Sequence, residues 1–213
     1  MVARHAQWRP ARWVIYIGGT LPHEGSRLAA RLRPRDPLAG SARPYGWCAR
    51  LLALQGDDGQ WEGGALFPAV RDRSVGQPWT ATAYSLVLLQ DCGVDPHDDV
   101  VRRAVARVKA HCRWEHAGQP FFSGEVEPCI NGMTVSLGAY FEQDVSAVVN
   151  RLLSEQLEDG GWNCEAENGS VRSSFHTTIR VLEGLLAYER ATGGSAAVSA
   201  ARRRAEEYLL ERK

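Results

Sequence analysis

The sequence predicts an all-α fold of repeated helical hairpins, and three observations predict it. One motif occurs twice in the same register. Leu51-Leu52-Ala53-Leu54-Gln55 with Asp58-Gly59-Gln60-Trp61 returns as Leu152-Leu153-Ser154-Glu155-Gln156 with Asp159-Gly160-Gly161-Trp162, and Gln55 to Gln156 and Trp61 to Trp162 both span 101 residues. Segments apolar nearly all round alternate with segments apolar on one face only. No stretch shows the two-residue alternation of a half-buried strand.

In chain order, residues 1–46 come first. Pro10, Pro22, Pro34, Pro37 and Pro44, with five glycines, leave room only for a short helix near Ser26–Leu32. This Arg- and Pro-rich segment is expected to be irregular, and residues 47–213 to form the helical domain. A short one-sided helix over Trp47–Leu54 leads into the first Gln–Trp loop. A buried helix then opens at Trp79-Thr80-Ala81-Thr82 and runs through Leu86, Leu88 and Leu89. Asp95-Pro96 reads as the start of a one-sided helix carrying Val101, Ala104, Val105 and Val108. From Pro128 to about Phe141, Ile130, Met133, Val135, Leu137 and Tyr140 spread around a second buried helix. Val145, Val148, Val149, Leu152 and Leu153 keep the i, i+3, i+4, i+7, i+8 rule of a one-sided helix before the second Gln–Trp loop. Phe175-His176-Thr177-Thr178 opens a third buried helix through Leu182, Leu185 and Leu186, and a last helix follows Gly193-Gly194 from Ser195. The buried helices are expected to form an inner ring and the one-sided helices an outer ring.

Acidic and basic side chains balance at 25 each, so overall charge does not point to nucleic acid. The balance is global but not local: residues 1–46 hold eight Arg against Glu24 and Asp36, and residues 47–213 carry the compensating negative charge. No stretch approaches the ~20 apolar residues of a membrane span. The apolar run at Trp13–Ile17 is too short for a signal-peptide core. Five cysteines, an odd number, argue against a disulfide framework and for a cytoplasmic protein whose thiols serve in the core or as metal ligands.

The two Gln–Trp loops resemble those of squalene-hopene and oxidosqualene cyclases, where the Gln caps a helix, stacks on the Trp and ties adjacent hairpins together. The resemblance covers residues 47–213. It implies an α/α-toroid, of which this chain supplies about half a ring, with Gln55, Trp61, Gln156 and Trp162 as structural clamps. A narrower resemblance is to the zinc-bearing β subunits of protein prenyltransferases. In that family Asp-x-Cys opens one inner helix, His-Thr opens the next, and the Asp, Cys and His bind zinc. Here Glu127-Pro128-Cys129 and Phe175-His176-Thr177 hold those places, which implies Glu127, Cys129 and His176 as ligands. Pro128 suits the first helical position and Ser174 the N-cap, so Cys129 and His176 both fall in first turns. A helix N-terminus favours a thiolate.

Each of these residues has a plainer reading beside the functional one. Cys129 and His176 also fit a buried thiol and a hydrogen-bonded core histidine, and Glu125 competes with Glu127 for the third place. Cys164 is a candidate further ligand or a packed loop cysteine. Trp79, Tyr84, Phe122, Tyr140 and Phe175 are candidates for lining a cavity that takes an isoprenoid or other apolar small molecule, or are ordinary core aromatics. Arg172 and Arg180 could hold a phosphate or form surface salt bridges. Cys48, Cys92 and Cys112 are expected in the core. The chain departs from the prenyltransferase pattern in having Phe121-Phe122-Ser123-Gly124-Glu125-Val126, without a base, before the metal motif, and it has no Asp-x-Asp-Asp motif for proton-initiated cyclisation. The resemblance therefore implies a zinc-dependent transferase of prenyl type, if the chain is an enzyme. The alternative is a non-catalytic toroid that binds a ligand or partner. A half ring is expected to self-associate or to be completed by a partner.

Overall fold

The computed structural model describes residues 46–64, 79–114 and 118–211, and among these residues seven α-helices and three short 3-10 turns account for the regular structure. Of the irregular segment expected over residues 1–46, all but Gly46 lies outside the described residues. Those described belong to one compact unit, Ala42–Lys213. The helices are α1 (Trp47–Ala53), α2 (Thr80–Asp91), α3 (Asp99–His111), α4 (Pro128–Tyr140), α5 (Ser146–Ser154), α6 (Phe175–Thr192) and α7 (Ala196–Glu211). The described part is all-α: its one extended pairing is an isolated bridge between Arg113 and Pro120. None of its helices is long and apolar enough to cross a membrane.

Most helix boundaries fall where the local chemistry puts them. Pro128 occupies the first turn of α4, and the Ser174 hydroxyl accepts from the Thr177 N–H at the start of α6. Left-handed Gly193 ends α6, as an αL cap should. The start of α3 differs from expectation. Asp98, not Asp95-Pro96, begins it, because its carboxylate accepts from the N–H groups of Val100 and Val101. Asp95 instead accepts from His97 N–H and closes a turn ahead of the helix.

α2, α4 and α6 neighbour one another in that order, while α1 packs on α3 and α5 on α7. The tightest contact is between α4 and α6. A Cβ placed on Gly184 would lie 2.2 Å from the Gly132 carbonyl oxygen, and one on Gly132 would lie 2.5 Å from the Arg180 carbonyl oxygen. The two helices thus touch through backbone, which only glycine permits at both places.

The Gln–Trp loops act as staples, twice over. The Gln55 side-chain amide donates to Gly59 O at 3.0 Å and to Ala104 O of α3 at 2.9 Å. Gln156 repeats this with Gly160 O at 2.6 Å and Ala201 O of α7 at 2.8 Å. Each indole N–H returns to its own hairpin: Trp61 to Leu51 O and Trp162 to Leu152 O, both at 2.7 Å. Between α3 and α5 an aromatic wedge takes the place of a staple. Trp114 stacks on Phe121 with centroids 4.8 Å apart, meets Trp79 edge-on at 5.3 Å, and donates its indole N–H to Phe121 O. Gln156→Ala would leave a loop carbonyl and an α7 carbonyl without their shared donor. A loss of about 1–3 kcal/mol is expected, read as a lower urea midpoint with an unchanged slope.

Candidate metal centre

The site is built where the N-terminus of α4 meets the loop ahead of α6. Glu127, Cys129 and Cys164 each present a ligand atom, and these atoms all lie within 4.8 Å of one another. The Cys129 and Cys164 Sγ atoms are 3.1 Å apart, and Cys129 Sγ lies 3.5 Å from Glu127 Oε2. The Thr177 hydroxyl of α6 stands 3.5 Å from Cys164 Sγ. All three candidate ligands are half-buried, screened from bulk water but within reach of small solutes.

Fixed backbone holds the first two in place. Asn131, fully buried in α4, clamps the preceding turn from both sides: its Oδ1 accepts from Glu125 N–H and its amide donates to Glu125 O, each at 2.7 Å. Arg151 reaches from α5 to the same segment and donates to Glu125 O at 2.8 Å and Val126 O at 3.2 Å. Glu125 is buried, and its Oε2 accepts from the Glu127 N–H at 2.8 Å. The two acids differ in position: Glu125 braces the turn, and Glu127 faces the sulfurs.

Cys164 is held by its loop. It opens the 3-10 turn Cys164–Asn168, capped by Asn163, whose Oδ1 accepts from Glu165 N–H at 2.9 Å. The Asn163 amide donates to Arg172 O at 2.7 Å and closes the loop on itself. Two residues before Cys164, buried Trp162 exchanges hydrogen bonds with α6, donating from its N–H to Thr178 Oγ1 at 3.0 Å.

The sulfurs titrate as a pair. The hydrogen bond with Cys164, burial and the nearby Glu127 carboxylate all hold the Cys129 thiol well above its ordinary value. That same hydrogen bond, with help from Thr177, pulls Cys164 the other way, against burial. Cys129 is the member that keeps its proton through the neutral range.

The remaining residues singled out in the sequence fall elsewhere. His176 is on the first turn of α6 as expected, but it is exposed and does not join the group of three. Trp79 and Phe122 are core aromatics, Tyr140 packs edge-on against Phe141 and donates its hydroxyl to Val94 O, and Tyr84 and Phe175 are exposed. Arg180 pairs with Glu183 on the surface at 3.0 Å. Of the three cysteines expected in the core, only Cys112 is buried. It donates to Gly59 O, and burial pushes it up to about 12. Cys92 is exposed because it caps the C-terminal end of α2, and Cys48 is half-buried beside it.

Asn131 and Arg151 were not among the residues expected at the site. A polar residue between Ile130 and Gly132 on a buried helix was a usable signal for the first. Arg151 gave none, because its targets lie 25 and 26 residues away. No protein-family model matches this chain, and no curated protein matches it significantly.

Proposed function

We propose that the chain is a zinc protein of the toroid class, in which Glu127, Cys129 and Cys164 hold the metal and an isoprenoid-type ligand is the substrate. The convergence of those three donors from two separate chain segments carries the reading. Two sulfurs and a carboxylate suit zinc in type and softness. With Zn–S near ~2.3 Å, tetrahedral sulfurs sit roughly 3.8 Å apart, so Cys129 and Cys164 would have to part by less than ~1 Å. A half-buried pair can do that by adjusting χ1.

Three protein ligands leave the fourth position free, as in catalytic rather than structural zinc sites. When bound, zinc would supply Lewis acidity, lowering the pKa of a thiol or water enough to make it a nucleophile at neutral pH. The chain's own groups do the positioning. Asn131 and Arg151 fix the turn that presents Glu127 and Cys129, Trp162 and Asn163 fix Cys164, and Thr177 hydrogen-bonds Cys164. The toroid and the allylic substrate rest on the resemblance carried by the Gln–Trp loops and by Glu127-Pro128-Cys129. The two staples, which tie α1 to α3 and α5 to α7, agree with it.

The test is zinc content of the purified chain, followed by assay of isoprenoid diphosphates with thiol acceptors. Roughly one zinc per chain is expected, lost in Cys129→Ala and in Cys164→Ala but kept in His176→Ala. Zinc that depends on His176 and not on Cys164 would refute this ligand set. Because Cys129 holds its proton at neutral pH, metal must displace it. Zinc affinity should therefore rise about tenfold per pH unit between pH 6 and 8 for each proton released. A flat profile, by competition with a chelator of known pH dependence, would count against Cys129 as a ligand.

A second reading, a non-catalytic binding module, is favoured by the outer flank of α6. A groove of about 210 Å³ between α6 and α7 is lined by Ile179, Leu182, Leu186 and Leu209 together with the charged side chains of Glu183, Arg202 and Glu206. On this reading the groove takes a second copy of the chain or a partner that continues the ring. Metal content separates the two readings, and light scattering reports the association.

A further inference from the structure

The two sulfurs at the centre support a second chemistry. Cys129 lies in the first turn of α4 and Cys164 opens a 3-10 turn 35 residues later, yet their Sγ atoms stand 3.1 Å apart. A disulfide needs ~2.05 Å, and a shared tetrahedral zinc needs roughly 3.8 Å. The observed separation lies between the two, about an ångström from either. Both side chains are half-buried, so neither sulfur is sealed from solvent. No competing thiol is placed to intercept them: Cys112 is buried against Gly59 O, and Cys48 and Cys92 lie beside each other at the far ends of α1 and α2.

We propose that Cys129 and Cys164 close into a reversible disulfide, and that the disulfide and the metal are mutually exclusive states of this site. Oxidation would expel the metal, and reduction would restore the site that binds it. The metal half of this inference rests on the zinc reading above; the disulfide half rests on the sulfur geometry alone.

The oxidant is a peroxide. One cysteine sulfur, as thiolate, attacks a peroxide oxygen and breaks the O–O bond. It becomes a sulfenic acid, and the released hydroxide takes up a proton and leaves as water. The second sulfur gives up its proton and attacks the sulfenic sulfur. The S–S bond forms as the S–O bond breaks, and the hydroxyl leaves with that proton as a second water. Overall, two thiols lose two hydrogens and one hydrogen peroxide is reduced to two waters. Glu127 Oε2, 3.5 Å from Cys129 Sγ, is placed to receive the thiol proton on its way out. A dithiol reductant reverses the change and is itself oxidised to a disulfide.

The experiment uses the full chain, reduced, loaded with zinc sulfate and desalted, then titrated with hydrogen peroxide. Zinc release is followed with a chromophoric chelator, and the oxidised product is mapped by mass spectrometry without reduction. The expected result is a 129–164 cross-linked peptide pair lighter by two hydrogens, with about one zinc released per cross-link and recovery of both thiols and zinc binding on adding dithiothreitol. Cys92→Ser should behave as wild type, and Cys164→Ser should form no cross-link at Cys129. Oxidation mapping to other cysteines, over-oxidation of Cys129 or Cys164 without a cross-link, or a cross-link formed with zinc retained would each overturn the proposal. If the reduced chain binds no zinc, the metal reading and the expulsion of metal fall together, while the peptide map still decides the disulfide. Mapping is done on wild type, so a poorly folded variant does not decide the outcome.

Discussion

Gly184→Ala is expected to destabilise the protein by about 3 kcal/mol or more, at the upper end for overpacking a closed core. The added methyl would meet the Gly132 carbonyl oxygen at 2.2 Å and its carbonyl carbon at 2.9 Å. Both are backbone atoms of a regular helix, so no rotamer change makes room. α4 and α6 must move apart, and that shift also loosens the neighbouring contacts of fully buried Val135 and Val181. Helix propensity works in the opposite direction, since alanine gains ~1 kcal/mol over glycine inside a helix. The steric term is the larger, so the net sign is unfavourable. In a domain of ordinary stability, ~5–15 kcal/mol, urea unfolding should begin at visibly lower concentration. An unchanged or higher midpoint would mean that the helices do not touch here.

The second large effect is at Trp162. The indole is fully buried and its N–H donates to Leu152 O at the end of α5. Trp162→Ala removes that bond and leaves a cavity that the surrounding helices can only partly fill. A cost of about 3–5 kcal/mol is expected. Trp162→Phe keeps most of the buried area and loses the hydrogen bond, for about 1 kcal/mol from that bond. Trp162 also fixes the loop that carries Cys164, so the alanine variant should lose metal affinity even where it remains folded. Full stability in Trp162→Ala, by urea or thermal unfolding, would show that the second Gln–Trp loop is not a structural staple.

What the sequence made readable, and what it did not, follows from the range of each interaction. Gln156 and Trp162 were recognisable because their bonds repeat, residue for residue, those of Gln55 and Trp61. The caps at Pro128, Ser174 and Gly193 were recognisable because each acts within one helical turn. Two helix-start signals lie within four residues at Asp95 and Asp98, and only the geometry of the carboxylates shows that Asp98 caps α3. The site was half readable. Position in a first turn follows from a cap, but rotation of the helix about its axis does not. α6 turns Thr177 and Thr178 inward and leaves His176 in solvent. Cys164 enters the site through a loop closed by the Asn163 amide on Arg172 O, a bond that no periodicity announces. Gly184 was visible as a lone glycine inside a helix, but its partner Gly132 lies 52 residues earlier on another helix.

If Glu127, Cys129 and Cys164 form one metal centre, two of its ligands are sulfur. X-ray absorption at the zinc edge of the loaded, reduced chain tests it most directly, because it counts sulfur ligands. Two sulfurs at about 2.3 Å with light-atom ligands completing the shell are expected, with one sulfur lost in Cys164→Ala. A single sulfur in the wild type, or no zinc retained after desalting, would contradict it.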